Sequence, residues 1–287
     1  MTADDPQSVG FLGLGAMGLP MANRIAKAGF ALIAVDISEA QVLLATKLGI
    51  TASADKNDLD GCEVIIIMVA TPAQLMDCAS IAGLDEGVTA VVMSTVGPAA
   101  VKEFAKVVAQ RGVRVVDSPV SGGVVGAESG SLSLFVSGDP ETQRVVTPVL
   151  ETMGQIFECG DEPGMGQAMK IVNQHLATSN LALAAEALGL AKSMGLDGEK
   201  VLERVSSGAG SSWMLRDRGP RMLISAENRP VLTHLSILAK DASLVAGVAQ
   251  EYGYQAPILA AARQRWQSAM ERGLGQADDS SIYDVMS

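Results

Sequence analysis

Residues 9–36 leave few choices of fold. A short apolar run, VGFLGLG, leads straight into glycine; GAMGLPMANRIAKAG then reads as a turn and an amphipathic helix closed by Gly29; a second apolar run, ALIAVD, ends in Asp36. The order is strand, Gly13-x-Gly15-x-x-Gly18, helix, strand, acid, with Asp36 21 residues beyond Gly15. Glycines so placed let the backbone turn tightly and approach a pyrophosphate, whose charge suits a helix N-terminus. An acid closing the second strand accepts hydrogen bonds from ribose hydroxyls. No Lys or Arg follows Asp36 until Lys47, so nothing nearby in sequence invites a 2′-phosphate. The expectation is a dinucleotide-binding unit that takes NAD; the plainer reading is a glycine turn that only packs helix on strand.

The rest of the first half repeats the alternation. A helix at 39–48 leads through a loop to an apolar strand at 64–70, and TPAQLMDCAS opens another helix. A strand at 89–94 ends in Ser94-Thr95 before a helix at 98–110, and a strand at 113–117 ends in Asp117. SPVSGGVVGAESGSLSLFVSG then reads as a loop and a return strand. Such alternation predicts a mostly parallel, doubly wound sheet with ligands at the strands' carboxyl ends. Thr95 and Ser121-Gly122-Gly123 follow two of those ends, and backbone N–H groups in the glycine-rich stretch could nest a carboxylate. A plain surface loop is the alternative.

Past residue 162 the strand pattern stops. GMGQAMKIVNQHLATSNLALAAEALGLAKSM reads as one long helix over about 165–194, followed by helices near 197–207, 212–224, 230–252, 256–273 and 280–286, the last capped by Asp279 or Ser280. The fold class is therefore α/β. An N-terminal Rossmann sheet (1–162) and an all-α domain (163–287) are joined by the long helix, with the boundary at CGDEPGMG. That helix is apolar nearly all round, yet Lys170, Asn173 and Gln174 share one face by their i, i+3, i+4 spacing. An amine and two amides on an otherwise buried helix need a polar network or a substrate; a solvated helix start is the bland alternative.

The totals narrow the class. With 48% hydrophobic but only 3% aromatic residues, the core must be built from Ala, Val, Leu, Ile and Met. No apolar run approaches a membrane span, and the acidic start MTADDPQSVG reads as a frayed lead-in without signal-peptide features. Cys62, Cys78 and Cys159 show neither pairing nor metal spacing, which points to a reducing cytoplasm, and no metal is expected. His175, five residues past Lys170, falls off the polar face and reads as structural. The net charge of −11 lies in the first domain, and no basic patch suits a nucleic acid.

Four stretches in this order, FLGLGAMGLPMANRI, DSPVSGGVVGAESGSL, GMGQAMKIVNQ and LAKDASLVAGVA, resemble the β-hydroxyacid dehydrogenase family, which includes 3-hydroxyisobutyrate dehydrogenase and tartronate semialdehyde reductase. The resemblance covers nearly the whole chain. It implies Lys170 as the catalytic lysine, Asn173 with Gln174 as substrate-site amides, and Ser121, Gly122 and Gly123 as holders of a substrate carboxylate. Gly13, Gly15, Met17, Gly18 and Asp36 would take the adenosine half of NAD, Thr95 its nicotinamide end, and Lys240 would reach it from the helical domain. A small hydroxy-acid or semialdehyde substrate and a homodimer or homotetramer follow from the same likeness.

Three positions depart from the family pattern: Arg24 stands where Asn is usual, Gln174 where a second Asn is common, and Ser211 where the threonate and erythronate dehydrogenase branch more often has Asn. That branch is otherwise the nearest in look, through SSGAGSSWMLRDRGPRML and GLGQADDSSIYDVMS. Lys170 would serve as general acid or base if burial and Lys240 bring its pKa down from about 10.4; Asp241 would push back. Open alternatives are a semialdehyde reductase, a 3-hydroxy amino acid dehydrogenase and a dinucleotide-binding module without turnover. A 6-phosphogluconate dehydrogenase would need a longer helical half, and imine reductases usually lack the lysine.

Overall fold

The computed structural model of the chain describes residues 8–285; the expected N-terminal lead-in, over its first seven residues, lies outside them. The backbone forms two compact units, one running through Lys170 and the other from Ile171.

The first unit opens with β1 (Ser8–Leu12), α1 (Gly18–Lys27), β2 (Ala31–Val35), α2 (Glu39–Lys47) and β3 (Thr51–Ser53). It continues with β4 (Val64–Ile67), α3 (Pro72–Cys78), β5 (Thr89–Val92), α4 (Pro98–Ala109) and β6 (Arg114–Asp117). It closes with β7 (Val120–Ser121), α5 (Gly123–Ser129), β8 (Leu132–Ser137), α6 (Pro140–Leu150) and β9 (Gly154–Gly160). The strand order β3-β2-β1-β4-β5-β6 is parallel throughout, the doubly wound arrangement expected. Beyond it, β6 and β7 pair with β8 in one continuous antiparallel register, broken at Pro119, which has no N–H to give. β9 lies parallel to β8.

Both faces of this sheet are covered, which is why its central strands carry no polar alternation. Val64 and Ile66 pack with Phe11, Met21 and Ile25, whereas Ile65 and Ile67 pack with Leu75, Val92 and Phe104.

Some expected elements differ. The strands expected at 64–70 and 89–94 end at Ile67 and Val92, because the chain leaves the ladder for the turns at the carboxyl edge. The loop expected between α2 and β4 holds the edge strand β3 and a 3-10 turn at Lys56–Leu59, with Asp55 accepting from the N–H of Asn57. The Gly/Ser-rich stretch read as a loop contains α5, whose Gly126 and Ala127 are buried.

α7 (Met165–Ser193) crosses the division at Lys170. The second unit continues with α8 (Gly198–Val205), α9 (Trp213–Met222), α10 (Leu235–Glu251) and α11 (Pro257–Glu271). Its core gathers Leu181, Ala185 and Leu188 of α7 with Leu202, Leu215, Leu238, Ala262 and the fully buried Trp266. Small residues on α7 let the large indole in, and its Nε1–H donates to the Thr178 carbonyl at 3.2 Å.

α10 starts at Leu235, not near 230, because the chain before it is tied to the tail: the Leu232 N–H donates to Asp278 and the Leu235 N–H to the Ala277 carbonyl. The tail itself is a 3-10 helix at Asp279–Val285, and residue 286 of the expected helix lies outside the described residues. Its start is capped by Asp278, which accepts from both the N–H and the hydroxyl of Ser280, rather than by Asp279 or Ser280. Arg221 pairs with Asp278 and Asp279 at 3.0 Å, and Arg229 with Asp284 at 2.7 Å, so the tail is clamped to α9 and the segment after it.

Candidate active site

The turn between β1 and α1 uses its glycines for three different purposes. Gly13 has φ +99°, and a Cβ there would stand 2.2 Å from the Met68 carbonyl oxygen. At Gly18 a Cβ would meet the Gly13 carbonyl oxygen at 1.9 Å, so the first turn of α1 packs directly on the loop. Gly15 is exposed, with open space where its Cβ would be, so backbone at this point lies accessible to a ligand. Met17 precedes α1 and rests partly buried against the core beneath the turn. Asp36 closes the cradle: its Oδ2 accepts from the Leu14 N–H at 2.6 Å and its Oδ1 from the Ser38 N–H at 2.8 Å. The carboxylate is thus fixed between the glycine turn and the end of β2. Tight turn, open backbone and anchored acid are the features a dinucleotide's pyrophosphate and ribose require.

A second polar cluster lies at the carboxyl ends of β5 and β6. Gln167 is fully buried in the first turn of α7. Its Oε1 accepts from the N–H groups of Val96 (3.0 Å) and Gly97 (2.9 Å), while its Nε2 donates to the Ser94 carbonyl (2.9 Å) and to Asp117 Oδ1 (2.8 Å). One side chain therefore holds the turn that carries Thr95. Asp117, also buried, accepts through Oδ2 from the N–H groups of Gly164 (3.1 Å) and Gln167 (2.8 Å), satisfying helix-start donors that α7 cannot pair internally. Burial pushes the Asp117 carboxyl up to about 6, against hydrogen bonds from Gln167, Gly164 and Ser137 that pull it down. Lys170, three residues on from Gln167, is only 6% exposed. A solvated helix-start lysine would not be so placed.

At the end of β7, Ser121 is half-buried and Gly122 exposed, and Gly122 and Gly123 have φ +135° and +63°. Two consecutive residues in this region make a turn that side-chain-bearing residues rarely adopt. Arg24, at the position where the family pattern has Asn, donates from Nε to the Thr152 carbonyl at 3.1 Å and lies against Gly130, where a Cβ would come within 2.6 Å of its guanidinium. It straps α1 to the chain after α6, away from the glycine turn.

In the second unit, three side chains form a relay. Asn173 Nδ2 donates to Gln174 Oε1 at 2.8 Å, and Gln174 Nε2 donates to the buried Asp241 at 2.5 Å. Asp241 also pairs with Lys240 Nζ at 3.1 Å. The residue that stands where the family has a second Asn is long enough to reach α10 and orient Asn173. His175, by contrast, lies 3.3 Å from the Ser179 hydroxyl on its own helix, and Ser211 accepts from Arg216 at 2.7 Å. Cys62 and Cys78 are buried, and burial pushes the Cys78 thiol up to about 11. Among the described residues no three His, Cys, Asp or Glu side chains gather as a metal site, and no helix is long and apolar enough to cross a membrane.

Gln167 and Asp241 were not singled out as site residues by sequence. Gln167 is a lone amide among small and apolar neighbours, and only its i, i+3 relation to Lys170 marks it; Asp241 lies 67 residues from its partner Gln174.

Comparison with known proteins agrees with this geometry. Residues 8–161 match the NAD binding domain of 6-phosphogluconate dehydrogenase, and residues 164–286 match the domain described as NAD-binding of NADP-dependent 3-hydroxyisobutyrate dehydrogenase. The chain is 30% identical to an L-threonate dehydrogenase of Cupriavidus necator, over 97% of this chain and 96% of that protein. It is 32% identical to the mitochondrial 3-hydroxyisobutyrate dehydrogenase of Drosophila melanogaster, over 99% and 91%. A Mycobacterium tuberculosis 3-hydroxyisobutyrate dehydrogenase solved with L-serine superimposes with a TM-score of 0.88 at 25% identity, covering 98% of this chain and 99% of that one. With an open glycine turn for a nicotinamide dinucleotide and relatives of this kind along its whole length, the chain belongs to the β-hydroxyacid dehydrogenase family of oxidoreductases.

Proposed function

We propose that this dehydrogenase oxidises a short hydroxy acid of the threonate type with NAD, and that Lys170 handles the proton. The observation that carries the reading is the nearly complete burial of Lys170 one helical turn beyond Gln167, the residue that holds the Thr95 turn. An amine kept from solvent beside that anchor has a fixed position from which to take a hydroxyl proton.

Gly13, Gly15, Met17, Gly18 and Asp36 would hold the adenosine half of the cofactor, Thr95 its nicotinamide end, and Lys240 would assist. The bound cofactor supplies the hydride acceptor. Within the chain, Ser121, Gly122 and Gly123 hold the substrate carboxylate, which fixes the acid's orientation. Asn173, steadied by Gln174 and Asp241, orients the reacting hydroxyl oxygen. Lys170 Nζ accepts the hydroxyl proton as the carbon loses hydride and the carbonyl forms; in the reverse direction, with a semialdehyde, the same group donates. The threonate assignment is supported by relatives such as the Cupriavidus necator enzyme. A 3-hydroxy amino acid is the second reading, favoured by the L-serine in the Mycobacterium tuberculosis structure.

A panel of threonate, erythronate, 3-hydroxyisobutyrate, glycerate and serine with NAD or NADP, followed by absorbance of the reduced cofactor, tests this. The expected result is the highest kcat/KM with a four-carbon polyol acid and NAD. Turnover of none of these acids would overturn the proposal, and preference for serine would replace the substrate with the second reading.

A further inference from the structure

The first turn of α7 rests on a buried acid–amide pair whose hydrogen bonds all run one way. Gln167 Nε2 donates to Asp117 Oδ1 at 2.8 Å and to the Ser94 carbonyl at 2.9 Å, which leaves Oε1 to accept from the N–H groups of Val96 and Gly97. An amide nitrogen only donates and an amide oxygen only accepts, so turning the group over reverses all four contacts at once. An ionised carboxylate only accepts, and so agrees with the orientation that the Thr95 turn needs.

Protonation removes that agreement. Asp117 Oδ2 already accepts from the N–H groups of Gly164 (3.1 Å) and Gln167 (2.8 Å) and from the Ser137 hydroxyl (3.4 Å), whose oxygen in turn accepts from the Gly166 N–H (2.9 Å). A proton is therefore taken at Oδ1, where its O–H and the Gln167 Nε2–H then face each other. Relief either pushes the amide away or turns it over; once turned, its nitrogen faces the N–H groups of Val96 and Gly97, and its oxygen faces the Ser94 carbonyl. Both side chains are fully buried, so bulk water does not fill in for a lost partner. Burial favours the neutral acid and the hydrogen bonds favour the ion, a contest that sets the change near pH 6. Ionisable neighbours are Cys159 on β9, whose thiol is pushed up by burial and by the charge of Asp117, Lys102 of α4, which lies against Gly164, and Lys170 one turn along α7.

We propose that Asp117 and Gln167 are positioning residues for the cofactor, and that the charge on Asp117 couples the Thr95 turn to pH. The ionised pair holds the turn in place for the nicotinamide end; the protonated pair loosens it. Binding and protonation then oppose each other, so bound NAD keeps Asp117 ionised and moves its titration to lower pH. This rests on the assignment of Thr95 to the nicotinamide end, and on no assumption about which acid is oxidised.

Calorimetric titration with NAD and with ADP-ribose, which lacks the nicotinamide, between pH 7.5 and 5 tests the coupling. For wild type, NAD affinity should fall by about five- to tenfold across this range, and ADP-ribose affinity by clearly less. Asp117→Asn, which carries an N–H donor in place of the ion, should bind NAD weakly already at pH 7.5 and lose little more below it. Groups such as Lys170 are common to both proteins and cancel in the comparison. Amide hydrogen exchange at Val96 and Gly97, without cofactor, should be at least about fivefold faster in Asp117→Asn, as the loss of one buried hydrogen bond requires. Unchanged exchange, or one pH profile of NAD affinity shared by wild type and Asp117→Asn, would overturn the proposal. Should Asp117→Asn not fold, wild type decides alone: parallel pH profiles for NAD and ADP-ribose overturn the coupling. Faster exchange together with such parallel profiles would locate the failure in the Thr95 assignment. Binding is read here and not turnover, so a failed acid panel leaves this test standing.

Discussion

Asp36 is the residue on which cofactor choice is expected to turn. Its carboxylate is held by two backbone N–H groups, so it cannot swing away from an incoming 2′-phosphate. At about 4 Å, two unit charges repel by roughly 4 kcal/mol at an effective dielectric of 20, less once solvent screens them. NAD should therefore be preferred over NADP, and Asp36→Ala should narrow the ratio of their kcat/KM values by at least about tenfold; an unchanged ratio would remove Asp36 from selectivity. Asp117 makes a different prediction, about pH. Its folded-state pKa is raised to about 6, above the ordinary carboxyl value of 3.8, so the stability it contributes is fully present below that ordinary value and is lost as pH rises through 6. Urea unfolding of wild type and Asp117→Asn between pH 4 and 7 should show the gap between them widening as pH falls, by at most about 3 kcal/mol at 1.36 kcal/mol per unit. A gap constant with pH would contradict the assignment.

At the scale of elements, the start of α7 carries more of the design than its sequence suggests. Gln167→Ala would leave the buried N–H groups of Val96 and Gly97 and the Ser94 carbonyl without their partner, at a cost of about 1–3 kcal/mol for each group left unsatisfied. A melting temperature lowered by several degrees is expected, together with weaker NAD binding because the Thr95 turn loosens; a variant as stable as wild type would show that water replaces the amide. The β1–α1–β2 unit was legible because glycine spacing and a terminal acid encode it locally. β4 and β5 were legible as unbroken apolar runs because both their faces are buried. α5 was not, since four of the residues from 122 to 130 are glycine, which reads as loop; tertiary burial of Gly126 and Ala127 overrides that weak propensity. The late start of α10 was also hidden, because it depends on partners more than forty residues away; the cap at Asp278 is local, made to Ser280 two residues on, and lies one residue ahead of the candidates read from the sequence.

For the molecule as a whole, the two units have separate cores and divide the expected chemistry between them. The cofactor cradle and Lys170 belong to the first, the Asn173–Gln174–Asp241–Lys240 relay to the second, and α7 runs through both. Lys170 and Asn173 were marked by helical spacing and resemblance; the contact from Gln174 to Asp241 that steadies Asn173 required the fold. This division separates the proton step from cofactor capture, since the residues assigned to the adenosine half lie between 13 and 36. General acid–base catalysis contributes about 10²–10⁴-fold, so Lys170→Ala should lower kcat by that order while the NAD dissociation constant moves less than about threefold. Lys170→Arg should do no better, because a guanidinium stays protonated. The decisive measurement is kcat and NAD affinity of Lys170→Ala, with folding checked by circular dichroism. The account predicts a folded protein that binds NAD normally and turns over at least about a hundredfold more slowly; a folded variant that keeps more than about a tenth of wild-type kcat would contradict it.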